Sequence, residues 1–143
     1  VCDDHSIKVP VLCGLESYEG LHHLVSVVQG RLRADQTSTD LMKACFPGGS
    51  ITGAPKIRAM EIIDELEPYR RGPWCGAMGW IGFNGDMDTN IIIRTILYGR
   101  DKITIQSGGG IVADSVPALE WEETINKRRA MFRAVALAEQ SAE

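Results

Sequence analysis

Residues 74–107, WCGAMGWIGFNGDMDTNIIIRTILYGRDKITIQS, decide the fold. Apolar and β-branched residues crowd into three stretches, 74–83, 87–98 and 102–107. Asn84-Gly85 and Gly99-Arg100-Asp101 separate them, and both sequences suit tight connections between adjacent strands. The pattern predicts an antiparallel meander. Downstream, a loop at Gly108-Gly109-Gly110 leads to a long helix over about 117–138, with Leu119, Ile125, Phe132, Val135 and Ala136 supplying much of its apolar stripe. Upstream, a helix is expected over about 54–66. Pro55 suits its first turn, where a missing N–H costs nothing, and Ile57, Met60, Ile63 and Leu66 line one face. Pro68 and residues 70–73 end it.

Further from the meander the pattern is less decisive. Ser38 or Thr39 can cap a short helix over 41–46, which Pro47-Gly48-Gly49 stops. Residues 21–32 fit either a strand, through Val25, Val27 and Val28, or a helical stripe of Leu21, Leu24, Val25 and Val28; the β-branched residues favour the strand. Residues 7–13 form a short strand that Pro10 confines to an edge or an end. The fold class is therefore α+β, an antiparallel β-sheet backed by helices.

The chain has 143 residues, 44% hydrophobic and 24% charged, as expected of one globular domain with a core. A formal net charge of -4 gives no reason to expect nucleic acid or an anionic membrane as partner. The longest apolar runs, such as Ile91-Ile92-Ile93, are too short to span a bilayer. No charged start followed by an apolar stretch marks a secretory signal. Cys2, Cys13, Cys45 and Cys75 are far apart and form no Cys-x-x-Cys pair, which favours reduced thiols in a cytoplasmic protein over a zinc site. The first six residues show no cap or turn, and Val1 suggests a chain that belongs to something longer.

Four places carry residues suited to chemistry. Phe46 to Lys56, FPGGSITGAPK, has Gly48 and Gly53 at P-loop separation. Ala54 and Pro55 stand where a P-loop needs Lys and Ser/Thr, which excludes nucleotide binding by that route. What remains is either a tight turn or a glycine-rich entry to a helix whose N–H groups face an anion. Ser107 to Ser115, SGGGIVADS, spends backbone entropy on three glycines, so some position there needs positive φ or close backbone approach. Glu120, Glu123 and Lys127 share one face of the last helix. They form either a solvated face with a Glu123–Lys127 pair or two carboxylates fit for Mg²⁺, which takes few protein ligands. Arg94, among isoleucines and on the Asp88 side of its strand, needs an anionic partner, either a structural acid or a ligand carboxylate. His22 and His23 would point to opposite faces of a strand, and one of them can titrate near neutral pH. Together these residues describe a site for a small polyanionic metabolite.

The motifs at 47–56 (PGGSITGAPK), 87–95 (MDTNIIIRT), 107–115 (SGGGIVADS) and 120–127 (EWEETINK) are similar to those of the chorismate-binding enzyme family. The resemblance runs from about residue 7 to 138. It implies the C-terminal part of an anthranilate-synthase-like two-layer sandwich, residues 1–143 being the C-terminal portion of a chorismate-binding domain. It also implies that Glu123, with Glu120 beside it, binds the Mg²⁺ that grips the ring carboxylate of chorismate. Gly108, Gly109, Gly110 and Lys127 resemble the cradle for the same carboxylate. Arg94 resembles the residue that pairs with the enolpyruvyl carboxylate, with Trp74 beside it. Ser50 matches a substrate-pocket hydroxyl, and His23 a catalytic histidine assisting departure of the ring hydroxyl.

Within the family, the runs 47–53, 61–68 and 74–76 resemble the aminodeoxychorismate synthase branch. That branch replaces the 4-hydroxyl of chorismate with ammonia from a glutamine amidotransferase subunit, on the way to p-aminobenzoate and folate. The run 126–138 resembles the anthranilate synthase branch equally well, and that branch is the alternative. An upstream lysine and an upstream pair of glutamates of the family pattern have no counterpart here, since Lys8 stands in the wrong context. The isolated chain is therefore expected to be inactive, a non-catalytic half-site whose exposed strand edges favour self-association.

Overall fold

A computed structural model describes residues 1–18 and 21–141. In chain order the elements are β1 (Lys8–Tyr18), β2 (Leu21–Gln29), α1 (Ser38–Cys45), α2 (Gly49–Thr52), α3 (Lys56–Leu66), β3 (Ala77–Ile81), β4 (Met87–Ile91), β5 (Ile96–Tyr98), β6 (Ile103–Ile105) and α4 (Pro117–Gln140). The expected α+β mixture is present, and β1–β2 and β5–β6 are antiparallel. Contacts divide the chain into two compact units, Val1–Phe46 with Ile81–Asp86, and Pro47–Trp80 with Met87–Glu143.

The first unit is built on the β1–β2 hairpin, in which Leu15 faces Leu24, Glu16 faces His23 and Ser17 faces His22. Strand β1 runs past the expected end at residue 13. The register slips twice, between Lys8 and Val11 and between Val11 and Gly14. Pro10, which has no N–H, and Cys13, at φ 51°, sit in those two bulges, so the ladder continues through residues that would otherwise end it. In β2, His23, Val25 and Val27 are half-buried while His22, Leu24, Ser26 and Val28 are exposed. This two-residue period settles the ambiguity in favour of a strand. The first residues are ordered as well. Ser6 donates from both its amide and its hydroxyl to the Asp3 carbonyl, and Cys2 bridges Leu32. The cap of α1 is Thr37, not Ser38 or Thr39. Its hydroxyl accepts from the Asp40 amide while the Asp40 carboxylate accepts from the Thr37 amide at 3.0 Å, a reciprocal capping box.

The second unit departs from the expected single sheet. β3 pairs with β4 and β5 with β6, each as a separate two-stranded sheet. The expected strand 87–98 breaks at residues 92–95 because Arg94 takes φ 50°, which turns the chain out of the pleat. The Ile93 amide bonds back to the Ile91 carbonyl, and the Thr95 hydroxyl to that of Ile93. Gly79 sits where β3 and β4 approach closely, and a Cβ there would collide with the Asp88 carbonyl. In α3, Lys56, Ala59 and Ile63 are half-buried, whereas Ile57 and Leu66, expected on the packed face, are exposed. On α4, Glu120, Thr124, Arg128, Met131 and Val135 recur at helical spacing as the covered stripe, while Leu119 and Phe132 are exposed. Met131 is buried at 7% exposure, the one buried hydrophobic side chain among the described residues. Polar side chains thus occupy much of the face that α4 turns toward the glycine-rich loop.

Candidate functional site

The site of the second unit grows from the contact between the loop 107–110 and α4. Ser107 donates its hydroxyl to the Thr124 carbonyl at 3.1 Å, and Lys127 Nζ reaches the Gly108 carbonyl at 3.4 Å. The loop is therefore pinned to the helix at two successive residues. Close approach, rather than positive φ, explains Gly108 and Gly109. A Cβ on Gly108 would stand 3.2 Å from the Trp74 ring; one on Gly109 would stand 2.9 Å from Glu120 Oε2 and 3.0 Å from Glu123 Oε2. Nothing lies within 4 Å of a Cβ on Gly110.

Two carboxylate oxygens therefore converge where Gly109 leaves out a side chain. The Glu120 carboxylate also accepts, through Oε1, from the Ser115 hydroxyl at 2.6 Å. Glu123 Oε2 lies 3.0 Å from Lys127 Nζ, so the i,i+4 pair of a charged helix face is present as well. Among the described residues no group of three or more His, Cys, Asp and Glu side chains could hold a metal. The donor set suits an ion that needs only one or two protein carboxylates and keeps waters, as Mg²⁺ does, and not a metal that needs an all-protein cage.

Opposite the loop, residues 71–76 supply the aromatic wall. Arg71 forks onto Glu67, donating from Nε at 2.8 Å and from Nη2 at 2.6 Å, and its guanidinium lies 5.2 Å from the centroid of the Trp74 ring. The indole is thereby held between a fixed cation and Gly108. The fork holds the Glu67 carboxyl below its ordinary range, and burial pushes the Cys75 thiol up. Cys75, at φ 67°, and Arg94, at φ 50°, are both left-handed. The Cys75 amide donates to the Ile92 carbonyl and the Ile92 amide to that of Gly76, so these two strained residues flank one short ladder. Non-glycine residues at positive φ persist only where their surroundings fix them, and they cluster at functional sites.

The loop, Lys127 and residues around Trp74 border an open cavity of about 170 Å³, and Glu120 and Glu123 are not among the residues lining it. Ser50, Trp74, Arg94, Gly108, Gly109, Gly110 and Lys127, all singled out from the sequence, line it. So do Ser107, which opens the glycine-rich motif, and Arg71, Cys75, Gln106 and Met131, which the sequence did not single out. Only Arg71 left a usable trace there, four residues after Glu67 and three before Trp74. Arg94 reaches the cavity by its left-handed backbone and not by the strand alternation expected of it. The glycine-rich run 48–53 forms the four-residue turn α2, with Gly53 at φ 99° ending it and Ser50 on the cavity wall. A larger, more apolar cavity of about 800 Å³ shares Gly109 and Gly110 with the first and is walled by Ala59, Ile62, Ile63 and Val112. His23 belongs to the first unit, half-buried on β2, with its ring edge-on to Tyr18 at 6.0 Å.

A small cavity lined by three cations, Arg71, Arg94 and Lys127, and by a run of glycines, with a carboxylate pair beside Gly109, has chemistry suited to a small anionic ligand. The sequence pattern described as chorismate binding enzyme matches residues 1–133, and the chain belongs to that family. It is 58% identical over 143 residues to anthranilate synthase component 1 of Pseudomonas aeruginosa, covering 100% of this chain and 29% of that protein. It is 53% identical over 127 residues to aminodeoxychorismate synthase component 1 of Klebsiella aerogenes, covering 89% of this chain and 28% of that one. The crystal structure of anthranilate synthase component I from Streptococcus pneumoniae superposes with a TM-score of 0.81 at 44% identity, over 88% of this chain and 29% of that one. The α+β architecture is thus that of the corresponding part of an anthranilate-synthase-like enzyme. The chain spans under a third of the length of the curated relatives it matches. Among the described residues no helix is long and apolar enough to cross a membrane.

Proposed function

We propose that this chain is the substrate-gripping part of component I of a cytoplasmic aminodeoxychorismate synthase, which replaces the 4-hydroxyl of chorismate with an amino group. The observation that carries the proposal is the cavity in which Ser50, Trp74, Arg94, Lys127 and Gly108 to Gly110 meet. Chorismate presents two carboxylates. Arg94, with its planar fork, is suited to the enolpyruvyl carboxylate, and Trp74 offers a flat wall beside it. Lys127 and the glycine amides are suited to the ring carboxylate. Glu120 and Glu123, whose Oε2 atoms converge beside Gly109, are the residues that would hold Mg²⁺. When bound, the ion supplies positive charge for the ring carboxylate. His23 enters on the resemblance alone, as the acid that gives the departing 4-hydroxyl its proton; ammonia supplies the new C–N bond and water leaves. A glutamine amidotransferase subunit is the proposed source of that ammonia, and folate synthesis the proposed use of the product.

Ser50 and Trp74 favour this branch. The family resemblance associates them with aminodeoxychorismate synthases, and both line the cavity. A second possibility, anthranilate synthase, is favoured by the 58% identity to such a component over the whole chain. The deciding experiment supplies the full-length protein with chorismate, Mg²⁺ and ammonium and follows the products by chromatography and fluorescence. Accumulation of 4-amino-4-deoxychorismate with pyruvate retained is the expected result. Anthranilate fluorescence with pyruvate release would assign the protein to the other branch, and no chorismate consumption would overturn both.

A further inference from the structure

Resting on the proposed role of Glu120 and Glu123 in holding Mg²⁺, we infer that Ser115 is a positioning residue that fixes which oxygen of Glu120 faces the metal. Ser115 lies two residues before α4 in a turn that closes on itself. Its amide donates to the Val112 carbonyl at 3.0 Å, and its Oγ accepts from the Val112 amide at 3.0 Å. That acceptance leaves the hydroxyl proton with one direction, and it goes to Glu120 Oε1 at 2.6 Å. The bond is short and charge-assisted.

The consequence is a division of labour within one carboxylate. Oε1 is held by the loop, and Oε2 is left beside Glu123 Oε2 at the gap over Gly109. Glu120 has rotatable side-chain bonds and lies on a helix with no side-chain N-cap hydrogen bond to restrain its first turn. The Ser115 hydroxyl holds that carboxylate, and with it both carboxylates stay converged before the ion arrives. Partners that orient a metal-binding carboxylate typically raise metal affinity by 10–100-fold. The turn also joins the glycine-rich loop to the helix, so the same hydroxyl couples the position of the loop to that of the carboxylate.

The test titrates Mn²⁺ as a spectroscopic stand-in for Mg²⁺, by electron paramagnetic resonance, into the full-length protein with chorismate present and ammonia withheld. Ser115→Ala is expected to weaken Mn²⁺ binding about ten-fold, and Ser115→Thr to recover most of the loss. In a Glu120→Gln background, Ser115→Ala should add nothing further, because the two act as one unit. An equal loss in both backgrounds would show a general effect on folding and overturn the inference. Wild-type affinity in Ser115→Ala, alongside lost affinity in Glu123→Gln, would overturn it while leaving the metal assignment standing. Undiminished affinity in Glu123→Gln would remove the metal assignment and the inference with it. If Ser115→Ala melts too early to titrate, Ser115→Cys, which keeps the size and weakens the donor, carries the same comparison.

Discussion

At the scale of single residues, the charge of Arg94 among isoleucines was visible in the sequence, and its conformation was not. A side chain's chemistry is local, whereas a left-handed φ at a non-glycine residue is imposed by what surrounds it. Here the surroundings are the short ladder joining residues 75–76 to Ile92. The same limit hid Ser115, whose partner lies five residues away across a turn, a spacing that carries no helical or strand signature. Gly108 and Gly109 were legible as demanding some backbone privilege; only the structure shows that it is room for Trp74 and two carboxylates. Replacing Arg94 isolates the guanidinium cleanly, since Arg and Ala carry a similar left-handed backbone cost. Arg94→Ala is expected to weaken chorismate binding by about 1.5–3 kcal/mol, the range for a charged hydrogen-bonding partner. Arg94→Lys should recover part of that, because the charge returns without the fork. Calorimetric titration of the full-length variants with chorismate checks both; unchanged affinity would return Arg94 to a structural role.

At the scale of elements, hairpin connections were the most readable feature. Asn84-Gly85 does close a turn, with Gly85 at φ 90° and the Gly82 amide bonded to the Asp86 carbonyl. Strand ends were less readable. Pro10 and Gly14 look like terminators, and the bulges of β1 absorb them. The stripe of α4 misled for a different reason. Its covered face is partly the polar wall of a site, so apolar periodicity points away from it. Gly79 marks the closest strand approach, and Gly79→Ala is expected to destabilise the protein by about 2–3 kcal/mol, as overpacking does. Urea unfolding monitored by tryptophan fluorescence measures this. The end of α3 carries a pH signature. Arg71 keeps the Glu67 carboxyl below its ordinary value of 4.5, so the folded state holds that proton less tightly than the unfolded state. Stability from this fork is fully present above about pH 4.5 and is lost as pH falls through the lowered folded value. Glu67→Gln should therefore lower stability at pH 7 and flatten the acid side of the stability–pH curve. A mutant curve parallel to wild type would separate the fork from acid unfolding.

At the scale of the whole molecule, the class α+β was legible because it needs only alternation, turns and one long helical run. The coverage of the surface was not, because a strand's second face has no signal of its own until a partner is known. On the β1–β2 hairpin Leu12, Leu15, Leu24 and Val28 are 75%, 66%, 73% and 66% exposed, although the opposite positions of β2 are half-buried. Apolar residues thus occupy both faces of a two-stranded sheet, which is marginal by itself in water. The relatives are more than three times as long as this chain, so additional polypeptide is available in them to cover such a surface. For the 143-residue chain alone, the hairpin is expected to associate with copies of itself. Sedimentation velocity across a hundred-fold concentration range should show a weight-average mass rising above the 15.7 kDa of one chain. Leu12→Lys combined with Leu24→Glu should bring the mass back toward one chain, because charges on both strands oppose edge-to-edge and face-to-face pairing alike. Chorismate binding by that variant, compared with the unmodified chain, then separates the two units physically. Equal affinity would mean that the cavity of the second unit works without an intact hairpin surface. Lost affinity would mean that the hairpin, which carries His23, contributes to binding.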